Sequence, residues 1–166
     1  MSVEFVLVTG PRDSGKTTWC SELAKQARSD GIRVVGLLSP AVFEGGRKVG
    51  IDTLELASGE RKRLASLRAK GSIEDATIYW EMHAATLSWA NQILRDLPAA
   101  DLFILDELGP VEFLEGKGLQ EGLRLIDKRR YSQTYAVVRP ELLSMAMKRW
   151  PWGRVHNLVE GKVFGE

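Results

Sequence analysis

Residues 10–18 read GPRDSGKTT and contain the complete pattern G-x-x-x-x-G-K-[ST]. The apolar run before this stretch, over residues 3–8, is rich in β-branched side chains and predicts a short buried parallel strand. The stretch after it predicts a helix, because apolar residues recur at helical spacing before a turn at Asp30-Gly31. These apolar residues are Cys20, Leu23, Ala24 and Ala27. A strand, a glycine-rich loop and a helix therefore follow in the order that a phosphate-binding loop requires.

The residue types in this loop suit phosphate binding. Gly10 and Gly15 allow a tight turn, so that backbone N–H groups and the positive end of the helix can surround a β-phosphate. Lys16 would reach the β- and γ-phosphates and act in catalysis, while the Thr17 hydroxyl would bind Mg²⁺. The alternative is a glycine-rich turn with a chance lysine, which the flanking strand and helix argue against. The residues expected to bind nucleotide are Gly10, Pro11, Arg12, Asp13, Ser14, Gly15, Lys16, Thr17 and Thr18.

A second acidic element indicates nucleotide hydrolysis. The apolar run LFIL over residues 102–105 ends in Asp106 and Glu107, which places two carboxylates at the carboxyl end of a predicted buried strand. Asp106 would bind Mg²⁺, and Glu107 would orient or deprotonate the attacking water. A solvated strand end before Gly109-Pro110 is the alternative. Because a phosphate loop is also present, the catalytic interpretation is favoured.

Composition limits the possible classes. The 166 residues predict a single domain over residues 1–166, and the net charge of +1 argues against nucleic acid as a partner. The single cysteine, Cys20, lies on the apolar face of the first predicted helix, where we expect a packing role in a reduced, cytoplasmic protein. No run is long enough to span a bilayer, and MSVEFVLVTG leads directly into the loop, so we expect neither a membrane contact nor an export signal.

The remaining pattern predicts an α/β protein with a mainly parallel sheet, flanked by helices and extended by one or two β-hairpins over residues 41–58. Residues 60–70 are basic, and residues 71–80 are polar and irregular, so this region is predicted to be the most mobile. Further helices are predicted over residues 87–97, 119–126 and 141–148, and further strands over residues 32–38, 134–138 and 154–159.

Three strings resemble the THEP1-type nucleoside-triphosphatase family: GPRDSGKTT, GLLSPAVFEGGRKVGIDTLELASGERKRLA and LDELGPVEFL. They are similar to the family's phosphate loop, its EGGRRVGFD-like hairpin and its DEIG-type Walker B motif, and together they span most of the chain. The resemblance implies a RecA-like P-loop core and Mg²⁺-dependent hydrolysis of ATP, GTP and CTP to diphosphates. It also implies phosphate and Mg²⁺ roles for Lys16 and Thr17, and Walker B roles for Asp106 and Glu107.

The sequence departs from the family pattern at three places. His156-Asn157-Leu158 stands where family members often have an Asn-Arg-Asp-like string, and residues 70–80 lack the family's GKYGV-like wording. Arg12 and Asp13 replace small residues of the loop, and Asp13 could point away from the phosphates or hold a monovalent cation. Equal hydrolysis rates in sodium and potassium would contradict the cation hypothesis.

The group that completes the positive clamp on a γ-phosphate is left open by the sequence. For each basic candidate a solvated face is favoured over a contact with the phosphate, and if none reaches the γ-phosphate we expect a slow enzyme or an arginine from a partner. The candidates are Arg47, Lys48, Arg61, Lys62, Arg63, Arg124, Lys128, Arg129 and Arg130. Trp150 or Trp152 could stack on a base, although a core role is favoured. His83 and His156 show no metal-ligand spacing.

Two rival functions stay open. In a kinase, an acceptor would replace the attacking water, and the basic residues 61–70 could bind that acceptor. In a nucleotide-gated binding module, hydrolysis would be incidental and residues 128–130 could contact nucleic acid, although the low net charge argues against it. The absence of an Asn-Lys-x-Asp motif after the acidic strand leaves guanine selectivity without a basis, so broad base tolerance is expected.

Overall fold

The computed structural model describes residues 2–12 and 14–159, which form helices around one sheet. In chain order, the strands are Glu4–Thr9 (β1), Val34–Leu38 (β2), Ala41–Glu44 (β3), Arg47–Glu55 (β4), Arg61–Lys70 (β5), Thr77–Met82 (β6), Leu102–Leu108 (β7), Gln133–Val138 (β8) and Arg154–Asn157 (β9). The helices are Lys16–Ser29 (α1), Ala84–Arg95 (α2), Pro110–Phe113 (α3), Gln120–Asp127 (α4) and Leu143–Arg149 (α5), and a 3₁₀ turn spans Pro140–Leu142.

The sheet combines a parallel half with an antiparallel half. Its strand order is β6-β5-β4-β2-β7-β8-β1-β9, and β3 pairs with β4 outside this path. Strands β2, β7, β8, β1 and β9 pair in parallel, whereas β3, β4, β5 and β6 form antiparallel pairs that join the sheet through β2. Carboxyl ends of parallel strands share one edge, where ligands bind in open α/β sheets. The loop after β1 and the acids on β7 therefore lie on the same edge.

Helices cover both faces of the parallel half. On one face, α1 contributes Cys20, Ala24 and Ala27 to a core with apolar residues of β1, β2 and β7. On the other, α2, α4 and α5 pack on a larger core that includes Phe5, Phe103 and other apolar side chains. The predicted apolar face of the first helix is confirmed, and Cys20 is fully buried there. Burial raises the pKa of the Cys20 thiol well above its usual value, which suits a packing role.

The antiparallel half is more regular than the sequence predicts. The expected hairpins over residues 41–58 are confirmed, since β3 pairs with β4 and β4 with β5. The irregular structure predicted over residues 71–80 is found only over residues 71–76, because β5 and β6 form a ladder from Ala65–Met82 to Lys70–Thr77. The mobility expected of residues 60–80 stays a prediction. β5 begins with three basic residues and all of β6 is exposed, so neither strand shows the alternation of buried and exposed residues that marks a half-buried strand.

Smaller differences concern the ends of elements. The helix predicted over residues 141–148 divides into the 3₁₀ turn and α5, because Pro140 starts the segment with a tighter turn. The last strand ends at Asn157 rather than at residue 159. The short helix α3, which begins at Pro110 directly after the acidic strand, is not foreseen by the sequence analysis.

Gly36 fixes the contact between β2 and the acidic strand β7, and its replacement by alanine should be severely destabilising. Its φ is +133°, and a Cβ at this position would lie 1.9 Å from the carbonyl oxygen of Ile104. We expect Gly36→Ala to lower the free energy of unfolding by about 3 kcal/mol or more. Gly59→Ala is the matched control, because Gly59 has φ +77° but no atom near its Cβ position.

Urea denaturation of both variants measures the difference. The control should lose only about 1 kcal/mol, the cost of the left-handed conformation alone. Equal losses in the two variants would contradict the role assigned to the Ile104 contact.

Candidate active site

The glycine-rich loop ends in a left-handed residue from which α1 starts. Gly15 has φ 84° and ψ 27°, and Lys16 is the first helical residue. The Lys16 ammonium donates hydrogen bonds of 3.0 Å to the carbonyl oxygens of Gly10 and Pro11, so the side chain folds back across the loop. Ser14 N–H donates to the Pro11 carbonyl at 3.1 Å and closes the turn. The loop therefore places the Lys16 side chain beside the amino end of a 14-residue helix.

Gly10 is required for close packing and not for an unusual φ, which differs from the sequence interpretation. A Cβ at Gly10 would lie 2.8 Å from Ser14 Oγ and 2.9 Å from the carbonyl oxygen of Leu158. The Leu158 N–H in turn donates to the Thr9 carbonyl at 2.7 Å. Leu158, directly after β9, thus packs behind the loop. Of the two glycines expected to allow a tight turn, Gly15 has a positive φ and Gly10 does not.

Asp106 connects the acidic strand to the loop. Its Oδ2 accepts a 2.7 Å hydrogen bond from the Thr17 hydroxyl and a 3.1 Å bond from the Ser39 N–H. The Ser39 hydroxyl also donates to the Asp106 carbonyl oxygen at 2.6 Å. Asp106 is 1% exposed, and burial raises its pKa to about 6, against the opposing effect of the Thr17 and Ser39 hydrogen bonds. Glu107 also raises this pKa, and Lys16 lowers it.

Three buried oxygens at this edge have no hydrogen-bond partner within the described part of the chain. They are Thr9 Oγ1, Ser14 Oγ and Asp106 Oδ1. Buried polar atoms in folded proteins nearly always have partners, so their grouping at the loop and the acidic strand indicates a site that a polar ligand completes. The Thr17 hydroxyl and the Asp106 carboxylate are hard oxygen donors, which Mg²⁺ prefers together with water and substrate phosphates. These residues therefore fit a magnesium ion.

Glu107 is the second carboxylate and reaches a different partner. It is 28% exposed at its side chain, and its Oε1 accepts a 2.8 Å hydrogen bond from Nε of Arg139. Arg139 directly follows β8, the strand between β1 and β7. The sequence analysis missed Arg139, although its place after a predicted parallel strand is a signal for the ligand edge. Asp106 thus contacts the loop helix through Thr17, whereas Glu107 contacts Arg139.

Glu112 fixes the segment that follows the acids. Its Oε1 accepts from the Gly109 N–H at 2.8 Å, and its Oε2 accepts from the Leu119 N–H at 2.9 Å. Burial raises the pKa of Glu112, and these backbone hydrogen bonds act in the opposite direction. Gln120 Nε2 donates to the Glu112 carbonyl oxygen at 3.0 Å. One side chain therefore closes the loop between β7 and α4.

Most basic candidates for the phosphate clamp are engaged elsewhere. Arg61 and Arg63 both bind Asp52 at 2.6 Å, and Lys62 lies 3.6 Å from Glu60. Arg124 pairs with Glu121 on its own helix. The tryptophan candidates for base stacking also have structural roles. Trp150 is fully buried and donates to Asp127, and the guanidinium of Arg129 covers the Trp152 ring at 3.6 Å.

The other singled-out residues are placed as follows. Arg12 is exposed beside the loop, and Thr18 is exposed in the first turn of α1. Asp13 lies outside the described residues, so the cation hypothesis stays a prediction. His83 Nε2 lies 3.1 Å from Ser66 Oγ, and the His156 ring lies 4.9 Å from that of Trp19.

A family model described as NTPase matches residues 5–141. The chain belongs to the THEP1-type nucleoside-triphosphatase family. The nucleoside-triphosphatase THEP1 of Caldivirga maquilingensis is 29% identical over 136 residues, covering 81% of this chain and 76% of the relative. That of Thermococcus kodakarensis is 28% identical over 156 residues, covering 92% of this chain and 84% of the relative. The protein is therefore a nucleoside-triphosphatase.

Two solved structures share the fold. The human cancer-related nucleoside triphosphatase superposes with a TM-score of 0.68 at 19% identity, covering 97% of this chain and 90% of that chain. THEP1 from Aquifex aeolicus gives a TM-score of 0.60 at 20% identity, with coverages of 93% and 90%. The RecA-like P-loop fold expected from the sequence is confirmed. Within the described ranges of this enzyme, no helix combines the length and hydropathy needed to cross a bilayer.

The buried Asp106 carboxylate should make the metal-free protein less stable as pH rises. Its pKa is raised to about 6 from a usual value of 3.8, so the folded state binds the proton more tightly than the unfolded state. This contribution to stability is present at low pH and is lost as pH rises through about 6. The loss is on the order of 3 kcal/mol.

Asp106→Asn removes the titrating group and keeps an acceptor for Thr17. In EDTA, we expect the stability of this variant relative to wild type to increase between about pH 4 and about pH 7, as measured by urea unfolding. The difference in free energy of unfolding between the two proteins removes the contributions of groups that titrate alike in both, together with any pH-independent cost of the amide. A pH-independent difference would contradict a raised pKa at this carboxylate.

Proposed function

We propose that this enzyme hydrolyses ATP, GTP and CTP, with broad base tolerance, to nucleoside diphosphate and phosphate in a Mg²⁺-dependent reaction. The observation that carries the proposal is the 2.7 Å hydrogen bond between Thr17 and Asp106, two residues 89 positions apart. It joins the first turn of the loop helix to the buried acid of β7. A hydroxyl and a carboxylate in contact beside a phosphate loop match the magnesium donors of P-loop NTPases.

In this proposal, the chain binds the triphosphate through the loop. Residues 10–18 supply backbone N–H groups, and Lys16 moves from the carbonyls of Gly10 and Pro11 to the β- and γ-phosphates. Thr17 and Asp106 would hold Mg²⁺, which, when bound, neutralises charge on the β- and γ-oxygens. The partnerless Oδ1 of Asp106 supports this assignment, because it gives the carboxylate a free acceptor in the buried site.

Glu107 is proposed to activate the water. Its carboxylate follows Asp106 directly and is partly exposed, so a water molecule can reach it from the ligand edge. The water oxygen forms a bond to the γ-phosphorus, and the bond from phosphorus to the bridging oxygen breaks with its electron pair on the diphosphate. The water proton passes to Glu107 and then to the released phosphate. Atoms and charge balance without a further reactant.

Broad base tolerance is supported by the surroundings of the tryptophans. Trp150 is in the core and Trp152 is covered by Arg129, so neither favours selection of one base by stacking. Hydrolysis is also better supported than phosphoryl transfer to an acceptor. In the basic segment that could bind an acidic acceptor, Arg61 and Arg63 both bind Asp52, whose burial raises its pKa but whose hydrogen bonds and charge interactions with these arginines lower it below its usual value. Both arginines therefore already have an acidic partner within the chain.

Phosphate release from ATP, GTP, CTP and UTP, with Mg²⁺ and with EDTA, tests this proposal directly. We expect similar rates for the four nucleotides and loss of activity in EDTA. Lys16→Ala should abolish turnover, because it removes the positive charge that would contact the β- and γ-phosphates. Lys25→Ala is the control, since Lys25 is an exposed lysine of the same helix that pairs with Glu22 at 3.3 Å.

Glu107→Gln separates binding from chemistry. It should lower kcat by on the order of 10² or more and leave the affinity for a magnesium nucleotide nearly unchanged. Turnover that begins only after an acceptor is added would overturn hydrolysis in favour of a kinase. Unchanged turnover in Glu107→Gln would remove Glu107 from the catalytic role.

A further inference from the structure

We propose that Arg139 binds the γ-phosphate and couples its presence to the release of Glu107. The inference rests on the proposed hydrolysis and deepens it by naming the cation that completes the charge clamp. It is carried by the 2.8 Å hydrogen bond between Arg139 Nε and Glu107 Oε1 at the ligand edge of the sheet.

Sheet order places Arg139 between the two halves of the site. β8 lies between β1, which leads into the phosphate loop, and β7, which carries the acids. Val138, the last residue of β8, is in register with Leu108, and Arg139 follows at the carboxyl end of the strand. A side chain at this end lies at the ligand edge, beside the segment that follows the acids.

The backbone of Arg139 is fixed, so its side chain alone is free to change partners. Its φ of −62° and ψ of 145° are extended, as expected for a residue before a proline. The Leu142 N–H donates to the Arg139 carbonyl oxygen at 3.0 Å and anchors the 3₁₀ turn. Gly109 lies beside the guanidinium, since a Cβ there would make an ordinary van der Waals contact of 3.6 Å with Arg139 Cζ.

The guanidinium has the chemistry that a γ-phosphate requires. Its side chain is 50% exposed, and the hydrogen bond that it donates to Glu107 raises the pKa of Arg139, so it stays charged. A guanidinium has five N–H donors in a planar fork, and the contact with Glu107 uses the one at Nε. The remaining four can bind phosphate oxygens in the bidentate geometry that arginine favours.

The coupling arises because the Glu107 carboxylate and the γ-phosphate compete for the guanidinium of Arg139. Arg139 holds the Glu107 carboxylate until a γ-phosphate, with its larger charge, draws the guanidinium toward itself. The guanidinium then no longer occupies Glu107 Oε1, so both carboxylate oxygens can accept hydrogen bonds from the attacking water. A nucleoside diphosphate has no γ-phosphate and leaves the pair intact. The same side chain thus stabilises charge on the transferred group and frees Glu107 Oε1 when substrate is bound.

The test compares Arg139→Ala and Arg139→Lys with Arg33→Ala. Arg33 is a matched control, because it pairs with Asp101 at 3.3 Å before β2, at the opposite edge of the sheet. We measure kcat, and the dissociation constants of a non-hydrolysable magnesium triphosphate analogue and of the magnesium diphosphate. Arg139→Ala should lower kcat on the order of 10³-fold, as removal of an arginine finger does. Its preference for triphosphate over diphosphate should fall about tenfold or more.

Two further measurements distinguish the loss of the positive charge of Arg139 from the loss of its planar guanidinium and from a folding defect. Arg139→Lys should recover part of the triphosphate preference but little kcat, because lysine lacks the planar fork. Added guanidinium at millimolar concentration should restore part of the kcat of Arg139→Ala. An unchanged triphosphate preference in a folded Arg139→Ala protein would overturn the inference, as would wild-type kcat. If wild type itself releases no phosphate from any nucleotide, the proposed hydrolysis fails instead.

Discussion

The burial of the Asp106 carboxylate is the constraint around which this site is arranged. A carboxylate at 1% exposure is unfavourable when ionised, and within the described residues two donors, the Thr17 hydroxyl and the Ser39 N–H, bind its Oδ2. A bound cation would make this charge favourable, which is consistent with the proposed Mg²⁺ site. Stability is therefore lowered at the place where the proposed chemistry occurs, which is common in active sites.

Sheet order then determines which side chains can cooperate. The phosphate loop follows β1 and the acids end β7, but β8 separates these strands. The contact between loop and acid must therefore be made by the helix, and Thr17 in the first turn of α1 spans the gap. The end of β8 lies between them, so the residue after it lies at the same edge, between the loop and the acids. Arg139 occupies that position by topology, independently of its distance along the chain.

The sequence predicted those features that local patterns determine. The loop, the paired acids and the buried face of α1 lie within short stretches, so their chemistry and periodicity are visible without tertiary information. Ser39 and Arg139 act on residues 67 and 32 positions away, and such contacts have no local pattern. The pairing of β5 with β6 has no local pattern for a related reason. β6 is exposed along its whole length and β5 has no alternation of buried and exposed residues, so burial does not impose a clear period on these strands.

The same geometry explains why we expect the enzyme to discriminate nucleotides by their number of phosphates more than by their base. The side chains placed at the ligand edge in the described part of the chain are an ammonium, a guanidinium, two carboxylates and the hydroxyls of Thr9, Ser14, Thr17 and Ser39. Each suits a phosphate oxygen, a metal ion or a water, and they include no amide side chain, which would present a donor beside an acceptor to a base edge. The aromatic side chains that could add base affinity are committed to packing at Trp150 and to Arg129 at Trp152. If the proposed contacts form, we expect binding free energy to be concentrated at the γ-phosphate, where it differs between substrate and product and would promote product release.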